Sequence, residues 1–260
     1  MAGEGRALRP REQPWWRGTI SLAVAYCGPA PVPAALLARW NDDPWLIAVL
    51  GALALLVAAR ATPHQRLPLG AALAVLVVAF VSPLCALSSA LFSARAVHHV
   101  LLVAVAAPLA AAALRAARAQ GAALPFALAT ATLWLWHAPQ LYTEALQSVA
   151  LYWLMQLSLL GTAFWFWRAV FSAGASLPMA LFTVAAAIGQ MGLLGALLTF
   201  APEPLYPHHF AAPLAYGLSP LQDQQLAGLI MWVPAMLPYT IAAAWIARRA
   251  WKGGFPAAAR

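Results

Sequence analysis

Seven long apolar segments follow one another along this chain, and each approaches the length of a membrane-crossing helix. A helix needs about 20 mostly apolar residues to cross the hydrocarbon core of a bilayer. The segments are unbroken apolar runs, whereas the strands of a membrane barrel alternate between apolar and polar residues. The sequence therefore predicts an all-α integral membrane protein, a bundle of seven transmembrane helices. We place the spans at residues 45–60, 67–87, 97–114, 121–138, 149–171, 177–199 and 226–247.

Composition excludes several classes of protein. Only 8% of the 260 residues are charged and the mean hydropathy is +0.76, whereas a soluble domain carries about 25% charged residues. A water-soluble enzyme, a disordered tail and a nucleic-acid-binding domain are therefore excluded. The formal charge of +8 is interpreted as loop topology, with no nucleic acid as partner. Because the sequence has no nucleophile–base pair, phosphate-binding loop or cofactor fingerprint, we assign no catalysed reaction.

The basic residues divide unequally between the two sides of the predicted bundle. Seven spans place nine of them on one side, and only Arg39 and Arg95 on the other. The positive-inside rule makes the richer side the cytoplasm. The prediction is a multi-pass membrane protein, with the amino terminus of the core outside and the carboxyl terminus in the cytoplasm. The nine residues are Arg60, Arg66, Arg115, Arg118, Arg168, Arg248, Arg249, Lys252 and Arg260.

The amino-terminal region, residues 1–38, has two interpretations. The first is a cleaved secretory signal peptide. Such a peptide typically has a basic stretch, a short apolar stretch and a cleavage site of small residues, which here ends at Ala34. The alternative is an uncleaved extra helix over about 17–37, interrupted by prolines. In either case residues 40–252 form the polytopic transmembrane domain, and residues 253–260 form a cytoplasmic tail.

Candidate metal ligands lie near the predicted outer ends of the helices. Cys85 closes the second span, His98 and His99 begin the third, and His137 ends the fourth. Imidazole and thiolate together suit copper or another soft transition metal, and polar groups at membrane depth indicate function by default. The alternative is that these histidines are interfacial and hydrogen-bonded to loop carbonyls or lipid headgroups. Two cysteines so far apart do not predict a disulfide framework, and His208 and His209 are predicted to be solvated.

The segment before the last span is also polar. Ser219 is a candidate helix cap, with Asp223 in the first turn, where its charge complements the helix dipole. The polar run 222–225 should face protein or an outer cavity. Met231, two turns deeper, either places its thioether beneath that cavity or packs in the core or against lipid. Pro234 and Pro238 are expected to kink the span.

Several motifs together resemble the CtaG family. The similarity covers about residues 40–250, and the last motif is the most specific. The motifs are Ser82-Pro-Leu84, Leu91-Phe-Ser-Ala94 with His99-Val-Leu-Leu102, Leu133-Trp-Leu-Trp-His137, Gly195-Ala-Leu-Leu-Thr-Phe200, Pro204-Leu-Tyr-Pro207 and the run from Asp223 to Pro234.

The resemblance implies a polytopic factor of the bacterial cytoplasmic (inner) membrane, with the amino terminus of its core in the periplasm. Such a factor is needed to assemble a haem–copper cytochrome c oxidase and has a part in copper delivery. The implied partners are cytochrome c oxidase subunits, a periplasmic copper donor and membrane lipid. His137, Asp223 and Met231 match the family pattern, so Asp223 and Met231 join Cys85, His98, His99 and His137 as candidate copper ligands.

The sequence also departs from the family pattern. Arg95, Tyr152 and Gln156 stand where histidines are usual, His98 where glutamine is usual, and Cys85 where an acidic residue is usual. Arginine cannot ligate a metal because its guanidinium stays protonated. Either a reduced copper site uses Cys85, His98 or His99, and His137, or the chain is a metal-free scaffold that packs against oxidase subunits. A third hypothesis is a permease for a small solute or metal ion.

Overall fold

The computed structural model describes residues 26–116, 121–173 and 175–252, and the regular structure within these ranges is helical. Prolines occupy the first turn of many of these helices, where the missing N–H costs no hydrogen bond. The first six α-helices are α1 (Pro44–Arg60), α2 (Pro63–Phe80), α3 (Pro83–Ala90), α4 (Phe92–Val100), α5 (Ala107–Ala113) and α6 (Ala123–Trp136). The others are α7 (Pro139–Gln147), α8 (Val149–Val170), α9 (Leu177–Phe200), α10 (Pro220–Trp232) and α11 (Met236–Lys252).

Within the described residues, five helical stretches are long and apolar enough to cross a membrane. They are Pro63–Phe80, Phe92–Ala113, Val149–Val170, Leu177–Phe200 and Pro220–Lys252. The apolar helices α1 and α6 are shorter. These are the elements of a multi-pass membrane protein, as predicted. The number of seven spans stays a prediction.

Several predicted spans have different boundaries in the structure, and the last, predicted at 226–247, extends from Pro220 to Lys252. The second, predicted at 67–87, ends at Phe80, and a separate short helix begins at Pro83 with Ser82 as its cap. Cys85 therefore lies in the first turn of α3. The third begins at Phe92, five residues earlier than predicted, so His98 and His99 are in its second turn.

Prolines also shape the long helices in the way that their chemistry requires. A π-helical stretch, Leu101–Ala106, joins α4 to α5, directly before Pro108, which lacks the N–H that would bond the Ala104 carbonyl. The last span is interrupted at 233–235, between α10 and α11, where Pro234 was expected to kink it. The predicted cap at Ser219 is confirmed, since its hydroxyl accepts from the backbone N–H of Gln222 at 3.2 Å.

Loop contacts define two ends of the bundle. At one end the N–H of Asn41 donates to the Val81 carbonyl, and the Tyr206 hydroxyl donates to the His137 carbonyl. At the other end the N–H of Ala173 donates to the Ala116 carbonyl. We call the first, which contains residues 26–43, 81–91, 137–148 and 201–219, the polar end.

The amino-terminal segment packs on the polar end. Residues 1–25 lie outside the described part of the chain, so the signal peptide stays a prediction. The described part of the alternative extra helix is a turn followed by the 3-10 helix Pro33–Ala38, because three prolines between 29 and 33 cannot continue an α-helix. The Tyr26 ring stacks on Tyr152, with ring centroids 5.0 Å apart, and the Tyr216 hydroxyl donates to the Pro31 carbonyl.

Two glycines allow α9 and α10 to pack in backbone contact. A Cβ added at Gly195 would lie 2.7 Å from the Gly228 carbonyl oxygen, and one added at Gly228 would lie 2.5 Å from the Gly195 carbonyl oxygen. Small residues at such crossings let helices approach closely in membrane proteins. This contact brings α10, and with it Asp223, to its position in the bundle.

Gly195→Ala is therefore expected to lower the free energy of unfolding by about 1–3 kcal/mol, the usual cost of overpacking. The matched control is Gly189→Ala on the same helix, where an added Cβ meets nothing within 4 Å. That variant should be neutral or slightly stabilised by the better helix propensity of alanine. Thermal unfolding in detergent measures both. Equal midpoints for the two variants would contradict the close packing of α9 on α10.

Candidate functional site

The interior of the polar end holds a group of buried polar side chains from three helices. Arg95, His98 and His99 are three and four residues apart on α4 and so share one face of it. His137 directly follows α6, and Gln156 comes from α8. All five side chains are buried. We call them the buried polar cluster.

His99 and His137 are neighbours in this cluster. Their ring centroids are 5.7 Å apart, and those of His98 and His99 are 5.9 Å apart. The Nδ1 atom of His137 lies 2.7 Å from the Leu133 carbonyl oxygen, which can only accept. Nδ1 therefore carries the proton, and Nε2 keeps its lone pair for another partner.

Most of the cluster lacks internal hydrogen bonds. Within the described residues, eleven buried side-chain nitrogen and oxygen atoms have no hydrogen-bond partner, and nine of them belong to Arg95, His98, His99 and Gln156. Such atoms are rare in folded proteins and call for a specific explanation. The cluster therefore leaves most of its own hydrogen-bonding groups unused.

Arg95 is the most unusual member because its charge is buried. Its side chain is 1% exposed, and none of its three guanidinium nitrogens has a hydrogen-bond partner among the described residues. The guanidinium carbon lies over the Tyr152 ring, 5.4 Å from the ring centroid. A cation–π contact of this kind contributes about 2 kcal/mol when desolvated, which is less than the cost of burying a charge.

The expectation that Cys85 is a thiolate ligand is not met in this structure. Cys85 forms a disulfide with Cys27, across 58 residues of sequence, and a disulfide sulfur has no thiolate to offer a metal. The spacing of the two cysteines did not predict this disulfide either, because they are far apart in sequence. The amino-terminal segment folds back over α3 and brings them together, which no local pattern indicated.

Asp223 has a structural role in addition to those predicted for it. It lies in the first turn of α10, as expected, but its carboxylate caps the amino terminus of α4. It accepts hydrogen bonds from the backbone N–H groups of Phe92 and Ser93 and from the Ser93 hydroxyl. The α4 helix has no side-chain cap of its own, so Asp223 supplies the acceptor. These bonds hold the helix that carries Arg95, His98 and His99.

The other residues of this region take mostly structural positions. Met231 packs in the hydrophobic core, one of the two positions expected for it. Gln224 faces protein, as the polar run predicted, and its amide oxygen accepts from the Leu205 N–H at 2.6 Å. Among the described residues, no group of three or more histidine, cysteine, aspartate or glutamate side chains could hold a metal ion.

His209, predicted to be solvated, is buried in the polar end. The Tyr142 hydroxyl donates to its Nε2 at 2.7 Å, and its Nδ1 donates to the Ala90 carbonyl at 3.1 Å. Burial lowers the pKa of His209 well below its usual value, so the ring stays neutral in this pairing. The proline-rich loop around it gave no pattern from which this contact could have been predicted.

Comparison with protein families assigns the chain to one of them. Residues 119–253, just over half of it, match the family described as cytochrome c oxidase caa3 assembly factor (Caa3_CtaG). The chain belongs to this family. The family resemblance seen in the sequence is thereby confirmed. Comparison with curated proteins and with solved structures gives no match.

The Caa3_CtaG match covers only part of the buried polar cluster. It includes the cluster residues His137 and Gln156, whereas the α4 residues Arg95, His98 and His99 precede it. Asp223, outside the cluster, also lies within the match. The structure alone, and not the family match, therefore places the α4 residues in the site.

Proposed function

We propose that this chain is a membrane-embedded assembly factor for a caa3-type cytochrome c oxidase and assists copper insertion from the periplasmic side. The oxidase subunits are its partners, and a periplasmic copper donor supplies the metal. Copper is cargo in this proposal, bound transiently and passed on. No catalysed reaction is assigned.

The juxtaposition of His99 and His137 is the observation that carries the copper proposal. Two imidazoles with ring centroids 5.7 Å apart are close enough to contact one ion between them. His137 offers Nε2, and neither ring nitrogen of His99 has a hydrogen-bond partner in the described structure. Imidazole is a good ligand for copper.

The orientation of the bundle is part of the same proposal. Most basic residues of the described part of the chain, all except Arg39 and Arg95, lie at the end opposite the polar end, which the positive-inside rule places in the cytoplasm. The Cys27–Cys85 disulfide lies at the polar end, and disulfides persist in the oxidising periplasm. Seven crossings put the polar end in the periplasm, where copper and oxidase subunits meet. Membrane lipid then covers the exposed apolar faces.

The amino-terminal segment is proposed to stay with the core. Tyr26 and Cys27 precede the expected cleavage position after Ala34, yet both contact the core. The Tyr26 hydroxyl donates to the Asp43 carboxylate at 2.5 Å, and Cys27 is linked to Cys85. These contacts support an uncleaved amino terminus.

Anaerobic Cu(I) loading of the purified protein tests the copper proposal. We expect about one Cu(I) per chain for the wild type, and at least a tenfold weaker affinity for His137→Ala, since loss of one of two ligands removes much of the coordination. The matched control is His64→Ala, which changes an exposed histidine at the opposite end. Wild-type protein that stays free of copper, or equal affinities for His137→Ala and His64→Ala, would contradict the proposal.

A metal-free scaffold is the second candidate function. It is favoured by the buried positive charge of Arg95 one helical turn from His99, because that charge repels a bound cation. In this case the polar end and the apolar helix faces would dock oxidase subunits. The copper titration separates the two functions, since a scaffold binds the oxidase without binding copper.

A further inference from the structure

The chemistry of the buried polar cluster is unbalanced toward hydrogen-bond donors. A guanidinium carries five N–H donors and no acceptor, and the Gln156 amide adds two donors and one acceptor oxygen. Neither side chain has a hydrogen-bond partner among the described residues. A buried arginine without a partner is strongly unfavourable unless an opposite charge compensates it.

Neighbouring protein groups do not supply that opposite charge. No described carboxylate oxygen lies within hydrogen-bonding distance of the Arg95 guanidinium. The buried carboxylate of Asp223 already accepts three hydrogen bonds at the start of α4. The phenols of Tyr142 and Tyr152 interact with the Arg95 charge, but neither completes a hydrogen bond of normal geometry with it.

We propose that Arg95 and Gln156, with His98 beside them, form a binding site for a small monovalent anion, a halide or a simple carboxylate. Tyr152 relates the positions of the two residues. Arg95 lies over the Tyr152 ring, and Gln156 is one turn after Tyr152 on the same face of α8. The nitrogen atoms of the site are sealed from solvent. Bulky anions are therefore excluded.

The anion also affects the copper proposal, and this consequence rests on the proposed function. The Arg95 charge disfavours a cation at His99, and a bound anion cancels it. Anion and Cu(I) therefore bind cooperatively, each raising the affinity for the other by the same factor. With the anion bound, the Arg95 charge no longer opposes copper binding. The anion therefore controls the affinity for copper through Arg95.

Thermal unfolding of the purified protein without copper tests the anion site. Sodium chloride or sodium formate replaces sodium gluconate, whose anion is too large to enter, at constant ionic strength. We expect the wild-type Tm to rise by about 3–5 °C for each tenfold increase in small anion above its Kd. The chloride and formate series distinguish a halide site from a carboxylate site.

Two variants show where the anion binds. Arg95→Met should lose the anion response while still folding, because removing an unpaired buried charge is neutral or stabilising. Arg60→Met, which changes an exposed arginine at the opposite end, should keep the full response. A wild-type Tm that is equal in chloride, formate and gluconate, or an unchanged response in Arg95→Met, would overturn the anion site.

Cu(I) affinity measured in formate and in gluconate then tests the coupling. We expect tighter binding in formate for the wild type and no difference for Arg95→Met. Equal Cu(I) affinities in the two salts would overturn the coupling. A protein that binds no copper but shows the Arg95-dependent rise in Tm would contradict the proposed function and support the anion site.

Discussion

Asp223→Ala is expected to lower the free energy of unfolding by about 3–5 kcal/mol. The substitution leaves two backbone N–H groups and one hydroxyl without acceptors at a buried position, and hydrogen bonds to a charged group contribute about 1.5–3 kcal/mol each. The carboxylate also faces the positive end of the α4 dipole, which it stabilises. Few single substitutions have effects of this size.

Thermal and denaturant unfolding in detergent measure this loss. Asp42→Ala is the matched control, because Asp42 is exposed and its loss should change stability by less than about 0.5 kcal/mol. Ser93→Ala should lie between the two, since it removes one of the three donors. Because Asp223 holds α4, the Asp223→Ala protein should also bind Cu(I) more weakly. An Asp223→Ala protein as stable as Asp42→Ala would show that α4 does not depend on this cap.

Loss of the Cys27–Cys85 disulfide is expected to destabilise the protein by about 4 kcal/mol. The two residues are 58 apart in sequence, and closing a loop of this length constrains the unfolded chain by roughly that amount. The effect should be concentrated at the polar end, where the amino-terminal segment would separate from α3. Residues 26–43 should then exchange their amide hydrogens faster.

Thiol labelling and unfolding of Cys27→Ser/Cys85→Ser check this prediction. Wild-type protein, denatured without reductant, should present no reactive thiol within 26–116, and two after reduction. The double variant should unfold at lower temperature, with the same midpoint in the presence and absence of reductant. Two reactive thiols in unreduced protein from intact cells would contradict both the disulfide and the proposed periplasmic position of the polar end.

The membrane fold was predictable from the sequence because burial in lipid imposes long apolar helices. The boundaries were predictable only where a local signal exists, such as Ser219 before Pro220 at the start of α10. The break after Phe80 was missed although Ser82 and Pro83 mark it. There, a continuous apolar run concealed the change from one helix to the next.

The candidate site was predictable in part, and the missing part depends on contacts between distant segments. His99 and His137 were identified from their residue type at helix ends, and the structure brings them together. The roles of Cys85 and Asp223 could not be inferred from local patterns. The partner of Cys85 is 58 residues away in sequence, and the partners of Asp223 are about 130 residues away. The lack of any described acidic partner for Arg95 likewise becomes visible only when every helix around it is in place.

The copper content of the oxidase in living cells tests the central claim most directly. Cells lacking this gene should still make the oxidase subunits, while the ratio of copper to oxidase protein and the rate of oxygen reduction fall. Wild-type protein should restore both, whereas His99→Ala/His137→Ala, produced at the same level in the membrane, should not. Full restoration of oxidase copper by the double histidine variant would contradict copper handling by this chain.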